Sequence, residues 1–135
     1  MGKDCSQMSP FGLVFRYLRN ERGVPLKTLA AGLELSEKIL SAIETGRRRP
    51  PNESQLSKIK KILRLNEEES RSLAEAARYS ETRVRIPMRA KPMEYRLVHR
   101  LVEAVGGLSE QQVATIHTVL DSHGGGAFEG GKEMI

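Results

Sequence analysis

The 135-residue sequence contains no tryptophan, and its three tyrosines and three phenylalanines make up only 4% of the chain. Cys5 is the single cysteine, which excludes an internal disulfide and a zinc site built from several thiolates. No apolar run approaches the roughly 20 residues that a membrane-spanning helix requires. The first residues also lack the apolar segment of a signal peptide. These absences lead us to expect a cytoplasmic protein.

Catalytic and metal-binding patterns are missing as well. The three histidines, His99, His117 and His123, show no metal-ligand spacing. His99 and His117 stand beside apolar stripes and are expected to be partly packed helix residues. There is no glycine-rich phosphate loop, no pair of acid and base residues and no nucleophile motif. We therefore expect a protein that is not an enzyme and that uses no cofactor and no metal.

The charge is distributed unevenly along the chain. The net charge is +5, but residues 1–65 carry 13 Lys and Arg against 6 Asp and Glu, whereas residues 66–135 carry 9 against 11. A basic half joined to a mildly acidic half suggests that one end binds a polyanion while the other faces protein or water. A solvated basic surface without a function would give the same distribution, so charge alone leaves both interpretations open.

The spacing of apolar residues predicts an all-α fold with seven helices. Ser9 before Pro10 and Ser36 before the third helix are suitable caps, and Asn66 with Glu69 and Ser109 with Gln112 resemble capping boxes. The predicted organisation is a disordered N-terminus (1–9), a five-helix domain (10–79), an extended linker or arm (80–92), a two-helix extension (93–123) and a disordered tail (124–135). Within the arm, residues 82–87 alternate with period two, which is typical of an extended segment or a short strand.

The segment from Leu26 to Gly46 is the most informative part of the chain. It contains two short apolar stripes with helical spacing, and Glu34 and Leu35 separate them. Two such helices are too short to be stable alone and form a bent pair whose second member can lie in a DNA major groove. The triplet Arg47–Arg49 follows directly, where a phosphate backbone would run.

Residues 11–65 resemble the helix-turn-helix domain of the lambda-repressor and Cro type, also called the XRE family. The matching positions are Arg19, Gly23, Leu29, Ala30, Ser36, Leu40, Ile43, Glu44 and Gly46, followed by basic residues and Pro50. The resemblance implies a five-helix lambda-repressor-like domain that binds double-stranded DNA. It also implies that Arg19 and Glu44 form a structural ion pair between the first helix and the end of the recognition helix.

The resemblance assigns the N-terminal end of the third helix to the base edges, with Ser36 as its cap. The side chains that then point toward the groove are Glu37, Lys38, Ser41 and Ala42. Their chemistry is suitable: a lysine can donate to guanine, a glutamate can accept from cytosine, a serine suits either kind of base, and an alanine methyl can touch that of thymine. Glu37 has an alternative role, which is to complement the helix dipole in the first turn.

Two departures from the family pattern bear on DNA binding. Leu26 stands where the family often has a glutamine that contacts a phosphate, and its spacing is that of a packing residue. Glu34 stands where the turn usually has glycine, and a glutamate at positive φ there would cost roughly 1 kcal/mol unless the second helix is slightly longer. Together they leave open a helix-turn-helix that binds protein.

The C-terminal half has more apolar helix surface than two helices can bury between themselves, so it either packs on the first domain or pairs with a second chain. The expected dimerisation residues are Leu97, Val98, Leu101, Val102, Val105, Val113, Ile116 and Leu120. Cro-like domains commonly act as dimers on two half-sites. The sequence thus predicts a DNA-binding transcriptional regulator, a dimeric repressor. The alternative is a protein-interaction module, such as an antitoxin or anti-activator that binds a toxin or an activator.

Overall fold

The computed structural model describes residues 8–127, with side chains up to residue 123. This part of the chain contains seven helices and no strand, which confirms the all-α prediction. The chain divides into two compact units between Val84 and Arg85. The helices are α1 (Pro10–Glu21), α2 (Leu26–Leu33), α3 (Glu37–Glu44), α4 (Glu53–Leu63) and α5 (Glu67–Tyr79) in the first unit, and α6 (Pro92–Ala104) and α7 (Glu110–Ala127) in the second.

The core of the first unit lies where its five helices converge. Helix α1 packs against α5 and α3, and α2 packs against α3 and α4. The rings of Phe11 and Phe15 stack at 5.0 Å within this core. Each fully buried side chain of this size contributes about 1.5–3 kcal/mol of transfer free energy. The fully buried large side chains are Phe11, Phe15, Leu29, Leu40, Ile59, Leu63 and Leu73.

Local hydrogen bonds set where the helices begin, and they do so at the predicted caps. The Ser9 hydroxyl accepts from the Gly12 amide at 3.0 Å at the start of α1. The capping box of α5 is present, because the Asn66 side chain accepts from the Glu69 amide and the Glu69 carboxylate accepts from the Asn66 amide. The box predicted for α7, from Ser109 and Gln112, is present in the same form.

Two consecutive helices end in left-handed residues. Gly23, after α1, has φ 63°, a left-handed conformation that is common for a glycine just past a helix end. Glu34, after α2, has φ 62° and ψ 39°. Helix α2 is therefore not lengthened to avoid the strain, and the glutamate adopts a conformation that costs an L residue roughly 1 kcal/mol. Leu26 is half-buried against the core, in agreement with a packing role.

At both ends, the described structure extends a few residues into the segments that the sequence predicts to be disordered. Met8 and Ser9 are buried, and the Ser9 amide donates to the carbonyl oxygen of Glu44 at 3.0 Å, so this serine is held by α3 as well as by α1. At the other end, α7 runs to Ala127 and so includes three glycines that the sequence assigns to the tail. Residues 1–7 and 128–135 lie outside the described residues.

The segment between α5 and α6 contains no strand, and residues 82–87 have no regular secondary structure. Its start is fixed on the first unit, because the Ser80 hydroxyl accepts from the Phe11 amide at 2.8 Å and donates to the carbonyl of Ala76 at the same distance. The Ala90 amide donates to the Pro87 carbonyl in a turn before α6.

In the second unit, none of residues 85–123 is buried. The exposed fractions along the predicted stripe run from 36% at Leu101 to 67% at Val102, and only Ile116 of the eight expected dimerisation residues is half-buried. The interpretation of His99 and His117 as partly packed is wrong, since both are exposed. The apolar faces of α6 and α7 are thus left without a core within this part of the chain.

Candidate nucleic-acid interface

Helix α3 is held by one apolar face and presents the other to solvent. Leu40 and Ile43 are buried in the core, whereas Glu37 and Lys38 are exposed. The Ser36 hydroxyl accepts from the Ile39 amide at 3.1 Å. Ser36 is therefore occupied as the N-cap of α3, which leaves the first turn of the helix free to approach a ligand.

A buried carboxylate ties α3 to α1. Glu44 is 2% exposed, and its carboxylate lies 3.4 Å from an Nη of Arg19 and 3.9 Å from one of Arg16. The pair implied for Arg19 and Glu44 is thereby confirmed. The Arg19 guanidinium also lies 5.8 Å from the centroid of the Phe15 ring. Removing only one partner of a buried pair leaves an uncompensated charge, so this pair strongly fixes the end of α3.

Gly12 is a second attachment point, and sequence reasoning missed it. A Cβ at this position would overlap with the carbonyl oxygen of Glu44 and lie 2.8 Å from its carbonyl carbon. Only glycine allows α1 to approach the C-terminal end of α3 this closely. A glycine inside an otherwise helical apolar stripe was the available signal, but its partner lies 32 residues away along the chain.

The four residues predicted to face bases differ in exposure. Glu37 and Lys38 are exposed, while Ser41 and Ala42 are half-buried one turn later. The hydroxyl of Thr45 lies 3.3 Å from the Ser41 carbonyl and 3.2 Å from that of Ala42, so it covers the end of the helix. The outward face of α3 is accordingly most accessible at its N-terminal turn.

The basic turn, Arg47–Arg49, leaves α3 through a left-handed glycine. Gly46 has φ 79°, and the Arg47 amide donates back to the Ala42 carbonyl at 2.9 Å, which ends the helix in a Schellman arrangement. All three arginines are exposed. The Arg47 Nε donates to the Thr45 hydroxyl at 3.1 Å, so this side chain is held close to α3.

Arg49 differs from its two neighbours because it already has an acidic partner. One of its Nη atoms lies 3.1 Å from the Glu81 carboxylate at the start of the arm. The hydrogen bond from Arg49 holds the pKa of Glu81 below its ordinary value, and a second bond from the Arg83 amide acts in the same direction. Sequence reasoning did not find Glu81, since no local pattern links residues 32 positions apart.

Two features are absent from the part of the chain that the structure describes. No group of three or more His, Cys, Asp or Glu side chains is arranged to hold a metal ion. None of the helices described is long and apolar enough to cross a membrane.

Part of the chain matches a known family. Residues 10–73 match a family model described as a helix-turn-helix domain. The match spans the first four helices and the first half of α5, and it therefore includes α3, Glu44 and the basic turn. No curated protein and no solved structure matches the chain. The first unit contains a helix-turn-helix domain, which supports DNA binding in transcription regulation as its role.

Proposed function

We propose that the chain is a sequence-specific, double-stranded DNA-binding transcriptional regulator of the lambda-repressor and Cro type, acting as a dimeric repressor on an operator with two half-sites. The observation that carries this proposal is the exposed N-terminal turn of α3, together with the three exposed arginines that follow the C-terminal end of the same helix, within a matched helix-turn-helix domain. A helix that enters the major groove needs free side chains at one end and cations next to it for the phosphates.

In this proposal, α3 reads the bases and the basic turn binds the backbone. Lys38 donates to the O6 and N7 atoms of a guanine, and Glu37 accepts from a cytosine N4 or complements the helix dipole. Ser41 suits either kind of base, and the Ala42 methyl group can touch that of a thymine. Ser36 contributes as the cap of α3, and Arg47–Arg49 neutralise phosphates.

Dimerisation is assigned to α6 and α7. Residues 85–123 bury no side chain, although their helices carry amphipathic stripes. Apolar faces of this kind are stabilised by a partner that covers them. A second copy of the chain would do so and would also supply the second recognition helix that a two-half-site operator requires.

The experiment is a selection of bound sequences from random duplex DNA with the full-length protein, followed by affinity measurements on selected and scrambled duplexes. We expect enrichment of a site with twofold symmetry and a specificity ratio of about 10³ or more. A protein that enriches no sequence would contradict the proposal. Binding to a toxin-like or activator-like protein in the absence of DNA binding would favour the alternative interaction module.

A substitution can then distinguish base reading by Lys38 from a non-specific electrostatic contribution of its positive charge. Lys38→Ala should lower discrimination at one base position by about 1–3 kcal/mol, while affinity for random DNA changes much less. Lys58→Ala is the matched control, since this exposed lysine lies on α4 and not on the recognition helix. If Lys38→Ala weakens binding to every sequence equally, Lys38 contacts a phosphate and its base-reading role is wrong.

A further inference from the structure

The first unit contains an open cleft of about 540 Å³ beside the recognition helix. The apolar part of the cleft is formed by Leu35, which precedes α3, and by Ile39 and Ile43 of α3. The basic turn Arg47–Arg49 also lines the cleft, and so do Thr82 and Arg83 of the arm. Residues from the end of the recognition helix and from the chain after α5 therefore meet at one place on the surface.

Glu81 connects the arm to the basic turn. One oxygen of its carboxylate accepts from the Arg49 guanidinium at 3.1 Å, and the other accepts from the backbone amide of Arg83 at 3.2 Å. The Arg83 amide is thereby held by the same carboxylate that holds Arg49. Both bonds favour the ionised carboxylate and so lower the pKa of Glu81.

The cleft carries an excess of positive charge. Four arginines line it, and Glu81 pairs with only Arg49 among them. Within residues 8–123, Arg47, Arg48 and Arg83 form no ion pair with an acidic side chain. Arg83 is exposed, so its guanidinium is accessible to an anion from solvent. A guanidinium offers paired donors that match the oxygens of a phosphate group.

We propose that Arg83 is an additional DNA-backbone contact. It binds a phosphate on the same stretch of operator backbone that Arg47 and Arg48 contact. Glu81 is the positioning residue that holds the arm at the basic turn. This inference rests on the proposed function and extends the interface beyond the helix-turn-helix domain to the arm. Because a phosphate contact carries no base information, the arm adds affinity and salt dependence without adding specificity.

The test is a salt titration of binding to the selected operator and to random duplex DNA. Arg83→Ala should lower the slope of log K against log salt by about 0.9 on both DNAs, which corresponds to a 3- to 4-fold smaller loss of affinity between 50 and 200 mM salt. Arg71→Ala is the charge-matched control. It removes the same charge from an exposed position on α5 that does not line the cleft, and the slope should stay unchanged.

The positioning role of Glu81 needs a second comparison. In a Glu81→Ala background, Arg83→Ala should change the slope by less than half of its effect in the wild type, because the arm is no longer held beside the turn. An equal effect in both backgrounds overturns this role. Circular dichroism melting curves show whether each variant is folded, and Arg83→Lys, which keeps the charge, should restore most of the slope.

The outcomes separate the two proposals. A wild-type protein that binds no DNA overturns the proposed function, and the arm contact with it. If the wild type binds DNA but Arg83→Ala gives the same slope as Arg71→Ala, only the arm contact is overturned. A reduced slope for Arg83→Ala alone supports Arg83 as a phosphate contact.

Discussion

Replacing Gly12 with alanine should separate α1 from the end of the recognition helix. The added methyl group would overlap with the Glu44 carbonyl oxygen and lie 2.8 Å from the carbonyl carbon and 3.0 Å from the Cα of the same residue. All three atoms belong to the backbone, so no change of rotamer can relieve the overlap. The two helices must move apart, and the buried carboxylate of Glu44 must move away from Arg19.

The magnitude follows from two opposing terms. Alanine is a better helix former than glycine by about 0.5–1 kcal/mol, which favours the variant. Overpacking a dense core costs typically about 1–3 kcal/mol and occasionally more, and the upper end applies where only backbone can yield. We expect Gly12→Ala to lower the free energy of unfolding by about 2 kcal/mol. For a domain of this size that is a fall in Tm of roughly 8–16 °C.

Gly32→Ala is the matched control, because this glycine is also inside a helix and its added methyl group would also overlap with a neighbour. That neighbour is the Cδ1 atom of the half-buried Ile62, the end of a flexible side chain. The side chain can rotate away, so the gain in helix propensity should leave this variant within about 1 kcal/mol of the wild type. Urea denaturation followed by circular dichroism measures both. A Gly12→Ala protein at least as stable as Gly32→Ala would refute the argument.

Three further predictions concern the turn, the backbone contacts and the dimer. Glu34→Gly should stabilise the protein by about 1 kcal/mol in urea denaturation, because φ is 62° there, whereas Glu34→Ala keeps a Cβ and should give no such gain. Changing Arg47–Arg49 to alanine should lower the salt slope of binding by about 2–3 on operator and random DNA alike, and an unchanged slope would contradict the phosphate role. Leu101→Asp should give a monomer in sedimentation, whereas Met88→Asp, which adds the same charge at a 97% exposed position outside the stripe, should not.

The helix bounds were predictable because helix ends depend on neighbouring residues. Ser9, Ser36 and the capping boxes at Asn66 and Ser109 each bond to an amide three residues later, and such a spacing is visible in the sequence. The turn at Glu34 and the segment of residues 82–87 were local features for which the sequence left two possible outcomes.

The contacts that fix the candidate interface were less predictable, because they join distant parts of the chain. The approach of Gly12 to Glu44 and the pairing of Arg49 with Glu81 each span 32 residues. The ion pair of Arg19 with Glu44 was foreseen only through the resemblance to a family. Burial of Met8 was missed because a single apolar residue in a polar segment shows no periodicity.

The state of α6 and α7 has a consequence for how the proposed regulator would respond to its own concentration. Amphipathic helices gain most of their stability from a partner that covers the apolar face, and none of residues 85–123 is buried in a single chain. If a second copy supplies that cover, formation of the dimer and ordering of these helices are one coupled equilibrium that depends on protein concentration. One recognition helix binds one half-site. The affinity for the full operator should therefore fall steeply at protein concentrations below the dimer dissociation constant, whereas the affinity for a single half-site should not. Operator titrations at several protein concentrations measure this difference, and equal behaviour of both sites would contradict the coupled equilibrium.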